Sequence, residues 1–210
     1  MSKISKIKNF KIDSTFFYSI TNSINFNFCI DNKIIVCNNL IKVSTKKEAG
    51  HMSFVFTRVD DRAIHGQTVT MWSKIFQNNG ILLVDDEISN DPTMRQIYKN
   101  AAVGMKVYIY TVEQALIKAK QASDSERDYI LIARSPIVFE KLEKGGVNVG
   151  NKITLGPVSQ EEGRTLLAQF TAFNDEEIQA CNYLSEKGKE IVFQNIPSTQ
   201  AVDWKSVHHK

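Results

Sequence analysis

From Met52 onward the chain alternates short apolar runs with segments of helical spacing, and glycine, proline or a helix-capping residue marks nearly every change. Phe54, Val55, Phe56 and Val59 read as a first strand, after which Val69, Trp72, Ile75 and Phe76 share one face of a helix predicted over 66–79, with Gly80 as its stop. The continuous apolar run 81–84 fits a strand buried on both sides. Asp91 followed by Pro92 predicts the cap and first residue of a helix running to Val103. A strand over 105–110, a helix over 112–122 and a buried strand over 129–133 come next. Ser135 and Pro136 repeat the cap-then-proline start, with Gly145 and Gly146 as the stop. A short strand over 147–149, a strand over 165–170, a helix opened by Asn174 and Glu177 and stopped by Gly188, and a last strand over 191–193 complete the pattern. Strands separated by helices with short connections predict a three-layer α/β/α fold around a mainly parallel central sheet. In such sheets sites form outside the carboxyl ends of the strands, so the loop ending the first strand is the expected active-site loop.

With 42% apolar content, 210 residues suffice for one such domain but not two. Residues 1–51 differ in kind: rich in Asn, Ile, Lys, Ser and Phe, they lack Arg and Pro and show no sustained period. Their eight lysines against three acids give +5, whereas residues 52–210, with 18 basic and 20 acidic side chains, carry −2. The overall +3 therefore arises outside the patterned body, and a phosphate-tracking nucleic-acid surface is excluded there. Asn22, Asn25, Asn27, Asp31 and Lys33 break every apolar run of the leader well short of the ~20 residues a membrane span needs, and no signal-peptide pattern is present. The expected organisation is a domain over 52–210 preceded by a leader, 1–51, that is either disordered or a product of a start site placed too far upstream. Cys29 and Cys37 lie in the leader, and Cys181 alone in the body can build neither a disulfide framework nor a cysteine metal site, which fits a cytoplasmic protein.

Of four histidines, His51 falls in the leader and His208 and His209 in a polar C-terminal tail, leaving His65 as the one imidazole of the body. It closes the loop between the first strand and the first helix, in the run Arg58-Val59-Asp60-Asp61-Arg62-Ala63-Ile64-His65-Gly66-Gln67. A neutral imidazole is nucleophilic near pH 7 and is a good leaving group from a phosphoramidate. Backbone N–H groups of Gly66, Gln67 and Thr68 at a helix start can face an anion, and Gly66 permits close approach. Arg58 and Arg62 offer forked donors for phosphate oxygens, Asp60 or Asp61 can orient the arginines or fix one imidazole tautomer, and Gln67 can donate to a phosphate oxygen or pin the loop. The same charges, however, also suit a solvated salt-bridge network.

This run, with Trp72 one helical turn further on, resembles the active-site loop of the enzyme IIB component of the mannose/fructose/sorbose family of the bacterial sugar phosphotransferase system. Val84-Asp85-Asp86-Glu87 with Asn90-Asp91, Ala101-Ala102 before Gly104, Asn148-Val149-Gly150, and Gln194 with Pro197 extend the resemblance over about residues 52–200. It implies a phosphocarrier whose His65 takes a phosphoryl group from a phosphohistidine of the cognate IIA protein or domain. His65 then passes the group to a sugar delivered by the membrane IIC and IID components, with transient association at the inner face of the membrane. It implies phosphorylation on Nδ1 with no metal and no cofactor, support of the His65 loop by Asp85, and no nucleic-acid partner; self-association into a homo-oligomer stays open. Ile64 and Met71 are candidates for partner docking. Ala63 stands where the family more often has a bulkier aliphatic, a change expected to loosen the loop.

Other readings weigh less. Asp85 and Asp86 resemble the acidic pair of a receiver domain that phosphorylates an aspartate, yet Asp128 precedes its strand and so sits at the wrong edge of the sheet. No glycine-rich phosphate loop follows the first strand, and one histidine among acids lacks the further ligands zinc requires. Trp72 at helical spacing fits the core better than a sugar-stacking platform. A noncatalytic α/β interaction domain is the remaining alternative.

Overall fold

The computed structural model describes residues 27–30, 33–36, 53–121 and 127–208. The chain divides into two units, Met1–Lys46 and Lys47–Lys210. In the first, β1 (Asn27–Ile30) and β2 (Lys33–Val36) form an antiparallel pair with Ile30 opposite Lys33. The expectations for the rest of 1–51 lie outside the described residues.

The second unit is built on β3 (Ser53–Val59), β4 (Ile81–Val84), β5 (Val107–Tyr110), β6 (Asp128–Ala133), β7 (Lys152–Leu155), β10 (Glu190–Phe193) and β11 (Val202–Asp203). They form a seven-stranded sheet in the order β11-β10-β7-β3-β6-β4-β5. Every pairing is parallel except that of β11 with β10. The strand period of two sorts the sheet's side chains between two cores. Leu82, Val84, Leu131, Ala133, Ile153 and Leu155 meet Phe139 and Leu142 of α5 (Pro136–Lys144) and Cys181 and Leu184 of α6 (Asp175–Glu186). On the opposite face, Phe56, Ile81, Leu83, Ile130 and Ile132 meet Val69 and Trp72 of α1 (Gly66–Ile75) and Ile88 of α2 (Asp86–Asn90). Each such side chain removed from water contributes roughly 1.5–3 kcal/mol. The chain thus leaves β3 toward one face and the neighbouring β6 toward the other, and it is at the carboxyl ends of strands diverging in this way that α/β sheets place their sites.

The predicted caps hold. Asp91 accepts from the amides of Thr93 and Met94 at the start of α3 (Pro92–Ala101), Ser135 caps α5, and Asn174 and Glu177 form a reciprocal capping box on α6. α4 (Val112–Gln121) also falls where expected.

Several local expectations are corrected. α1 ends at Ile75, which is exposed, and Gly80 is not its stop; Gly80 is needed because a Cβ there would stand 2.6 Å from the Lys106 carbonyl oxygen. No strand forms over 147–149: Val147 and Val149 are buried in a loop, their amides bound by Leu142 O and by Glu143 Oε1, and the strand at this place is β7. The predicted strand over 165–170 is the first arm of a hairpin, β8 (Thr165–Ala168) with β9 (Thr171–Phe173). The polar tail instead supplies β11 and α7 (Trp204–His208), because Trp204 is buried against Phe193 and Phe173.

Candidate functional site

The site begins where the β3 ladder ends. Val59 is paired with Ala133, and the Asp60 amide donates to Ala133 O at 3.0 Å as the last bond before the chain turns. The Ala63 amide closes that turn on Asp60 O at 2.9 Å. Ala63 adopts φ 54°, the left-handed region, and no other non-glycine residue among those described does so. Its side chain is fully buried, and Ile64 inserts beside it into the α1 core. Ile64, 2% exposed, is unavailable for docking, whereas Met71 is 37% exposed.

Asp60, itself fully buried, is the hub. Its carboxylate accepts from Arg58 Nε at 3.1 Å, from the Arg62 amide at 3.2 Å, from Arg62 Nε at 3.1 Å and from Arg62 Nη2 at 3.2 Å. His65 Nε2 lies 3.4 Å from Asp60 Oδ2. Burial alone would raise the Asp60 pKa, but the hydrogen bonds from His65 and Arg62 and the charges of Arg58 and Arg62 outweigh it and hold the carboxyl at about 2. Asp60 is therefore a permanent anion at neutral pH. The His65 side chain is 23% exposed, and Asp60 meets its Nε2, so Nδ1 is the ring nitrogen outside this contact.

The two arginines divide their tasks. Arg62 is 47% exposed while its Nε edge grips Asp60, which sets a forked donor at the mouth of the site. Arg58 is wholly buried: beyond Asp60, its Nη1 donates to Gln194 O at 2.9 Å and Nη2 to Asn195 O at 3.0 Å, and its guanidinium lies 5.5 Å from the Trp72 ring centroid. A Cβ at Gly156 would collide with Arg58 Nη2, so glycine makes the room. Arg58 does not present its fork to solvent, contrary to expectation, because strand β3 points it inward between β7 and α1. Burial pushes its pKa down, with Asp60 opposing. Trp72 stacks on Phe56 at 4.5 Å, as a core residue.

Asp61 turns away from the imidazole and accepts from the Ser159 amide at 2.7 Å and Ser159 Oγ at 2.6 Å, tying the loop to the segment after β7. Gly66 opens α1 with no heavy atom within 4 Å of where a Cβ would stand, and the α1 start has no acidic side chain. The side chain of Gln67 lies outside the described residues. Asp85 does not reach the His65 loop: it caps α2 through the Ile88 amide and binds Arg134 Nε at 2.5 Å. Asp86 accepts from the Val112 amide at the start of α4, so both members of the acidic pair serve helix N-termini. No group of three His, Cys, Asp or Glu side chains suited to a metal occurs among the described residues.

Ser159, Arg134 and the Gln194 and Asn195 carbonyls went unnoticed in the sequence reading. Arg134 stands one residue beyond Ala133 at the same sheet edge, its pKa raised first by its hydrogen bond to Asp85 and further by Glu87. Its position directly after a predicted buried strand is the signal that would have found it; a pair of backbone carbonyls leaves no such signal.

Residues 54–210 match the family model described as PTS system sorbose subfamily IIB component. Over 152 residues the chain is 30% identical to the N-acetylgalactosamine-specific phosphotransferase enzyme IIB component 2 of Escherichia coli (strain K12), an overlap of 72% of this chain and 96% of that protein. It is 24% identical over 147 residues to the PTS system mannose-specific EIIAB component of the same strain, covering 70% of this chain and 45% of that one. The crystal structure of manxB from Thermoanaerobacter tengcongensis superposes with a TM-score of 0.71 at 29% identity, over 77% of this chain and 98% of that one. No helix among the described residues is long and apolar enough to cross a membrane.

Proposed function

The chain belongs to the sorbose subfamily of IIB components of the phosphotransferase system, and on that premise we propose that His65 is its phosphoryl carrier. The observation that carries this reading is the contact of Asp60 with Nε2. An ionised carboxylate only accepts hydrogen bonds, so it holds the ring proton on Nε2 and leaves the lone pair on Nδ1. Nδ1 attacks the phosphorus of a phosphohistidine on the cognate IIA protein or domain. The P–N bond to the donor breaks, its electron pair returns to the donor ring, and Asp60 stabilises the cationic ring formed at His65. In the second step a sugar hydroxyl delivered by the membrane IIC and IID components attacks the phosphorus. The Nδ1–P bond breaks and the hydroxyl proton passes to a base outside this chain. The fused EIIAB relative supports a IIA partner.

Arg62, half in solvent, is the guanidinium that meets the phosphoryl oxygens in both steps. The amides of Gly66, Gln67 and Thr68 at the α1 start add uncharged donors. Arg58 is a positioning residue acting through Asp60, and Asp61 fixes the loop through Ser159. Asp85 acts one step removed, by holding Arg134 at the rim. The test is acid-labile labelling by phosphorylated IIA: His65→Ala is expected to abolish it with an unchanged circular dichroism spectrum, and retained labelling overturns the assignment.

A further inference from the structure

The buried Arg58 faces two ways, and only one of them is the His65 loop. Its Nη1 and Nη2 donors end on the carbonyls of Gln194 and Asn195, just past the carboxyl end of β10. That segment is an internally bonded loop. The Gln194 amide extends the ladder onto Leu155 O at 3.0 Å, Gln194 Nε2 donates to Thr199 O at 2.8 Å and Pro197 O at 3.4 Å, and the Thr199 amide and hydroxyl donate to Ile196 O at 3.1 and 2.8 Å. A guanidinium removed from water keeps its place only while its donors are satisfied, so the position of these two carbonyls sets that of Arg58. Arg58 in turn shares Asp60 Oδ2 with His65 Nε2 and Arg62 Nη2.

We propose that residues 194–199 are a positioning element of the His65 site, acting through Arg58 and Asp60, and that the phosphorylation state of His65 in return sets the stability of this loop. The second half rests on the phosphocarrier reading. With a phosphoryl group on Nδ1, the exposed Arg62 fork has a dianion to bind and withdraws from Asp60. The freed carboxylate then draws Arg58 more strongly, and the grip on the Gln194 and Asn195 carbonyls slackens. In the unphosphorylated protein the same competition for Asp60 Oδ2 operates from the other side: loosening the loop frees Arg58 to take a larger share of that oxygen and weakens the hold of Asp60 on the ring.

Two measurements on the full chain decide this. Gln194→Ala removes the two side-chain bonds to Pro197 O and Thr199 O that brace the loop, and it keeps the backbone carbonyl that Arg58 uses. Ring ¹⁵N spectra of His65 at neutral pH are expected to show mainly the Nε2–H tautomer in the unaltered protein. In the variant the Nδ1–H fraction is expected to rise about fivefold or more, the low end of ordinary intramolecular coupling, with an unchanged unfolding midpoint. An unchanged tautomer ratio overturns the positioning role. The second measurement is amide exchange at Gln194 and Thr199 before and after treatment with phosphoramidate, whose P–N bond breaks with loss of ammonia as the Nδ1–P bond forms. Exchange at these two amides is expected to quicken about fivefold while Ile153 in β7 is unaffected; equal rates in the two forms overturn the return coupling. Failure of phosphoramidate to modify His65 would count against the phosphocarrier reading, and the ring spectra would still decide the positioning role.

Discussion

At the residue scale the behaviour of the site follows from the ionisation of Asp60. Its carboxyl is held at about 2 instead of the usual 3.8, so the folded state favours the anion. A depressed folded pKa contributes stability that is fully present above about pH 4 and is lost as the pH falls through about 2. The shift corresponds to on the order of 2 kcal/mol. Asp60→Asn is expected to remove this acid dependence and to destabilise the protein at pH 7 by about 3–5 kcal/mol, because Arg58 is left buried without its counter-charge; urea midpoints at pH 7 and pH 3 check both effects. Arg62→Lys is expected to slow phosphoryl transfer more than it weakens IIA binding, since a point charge cannot replace a planar fork. Single-turnover rates beside binding isotherms separate the two. At Ala63, which is buried at φ 54°, Val is expected to cost roughly 1–3 kcal/mol and Gly to be neutral or stabilising, read from the same midpoints. The sequence pointed to His65, Arg62 and Asp60 because their types and spacing suit the chemistry. It misjudged Arg58, because two arginines four residues apart look alike on paper while a strand sends one of them into the core.

Among the elements, those with chemically distinctive ends were legible. Asp91-Pro92, Ser135-Pro136 and the Asn174/Glu177 box each name their own helix start, since an orphan amide needs a nearby acceptor whatever lies around it. Asn174→Ala is therefore expected to cost about 1 kcal/mol, measured as a lowered denaturant midpoint without change of slope. Strands carry no such mark. Val147 and Val149 alternate like a strand, yet their backbone is bonded to α5, and Gly150 at φ 98° breaks the run. The real strand, β7, contains a buried Thr154 and is defined by its parallel partners β3 and β10. The second arm of the hairpin, β9, and the short α2 were missed for a similar reason: a three-residue strand paired across a register shift and a five-residue helix capped by Asp85 leave no periodic signature.

For the whole molecule, the two faces of the central sheet form separate apolar cores among the described residues of Lys47–Lys210, α1 to α3 over one and α4 to α7 over the other. A chain of residues 52–210 is accordingly expected to unfold cooperatively at the same denaturant midpoint as the full protein; a large drop would show that 1–51 contribute to the fold. The arrangement also explains how residues far apart in sequence meet at the site. β3, β6, β7 and β10 run parallel, so the loops carrying His65, Arg134, Ser159 and Gln194 all emerge at one edge.

By itself the sequence determined the α/β class, the placement of the candidate site after the first strand and the one imidazole that the body offers there. Those depend on local periodicity, capping chemistry and residue type, which a single chain displays directly. Only the tertiary structure decided which carboxylate meets the ring, which nitrogen it meets, and that Arg58 is bound to carbonyls 136 and 137 residues away. Such pairings depend on strand order and on which way each side chain leaves the sheet, and neither is encoded in any one stretch of residues.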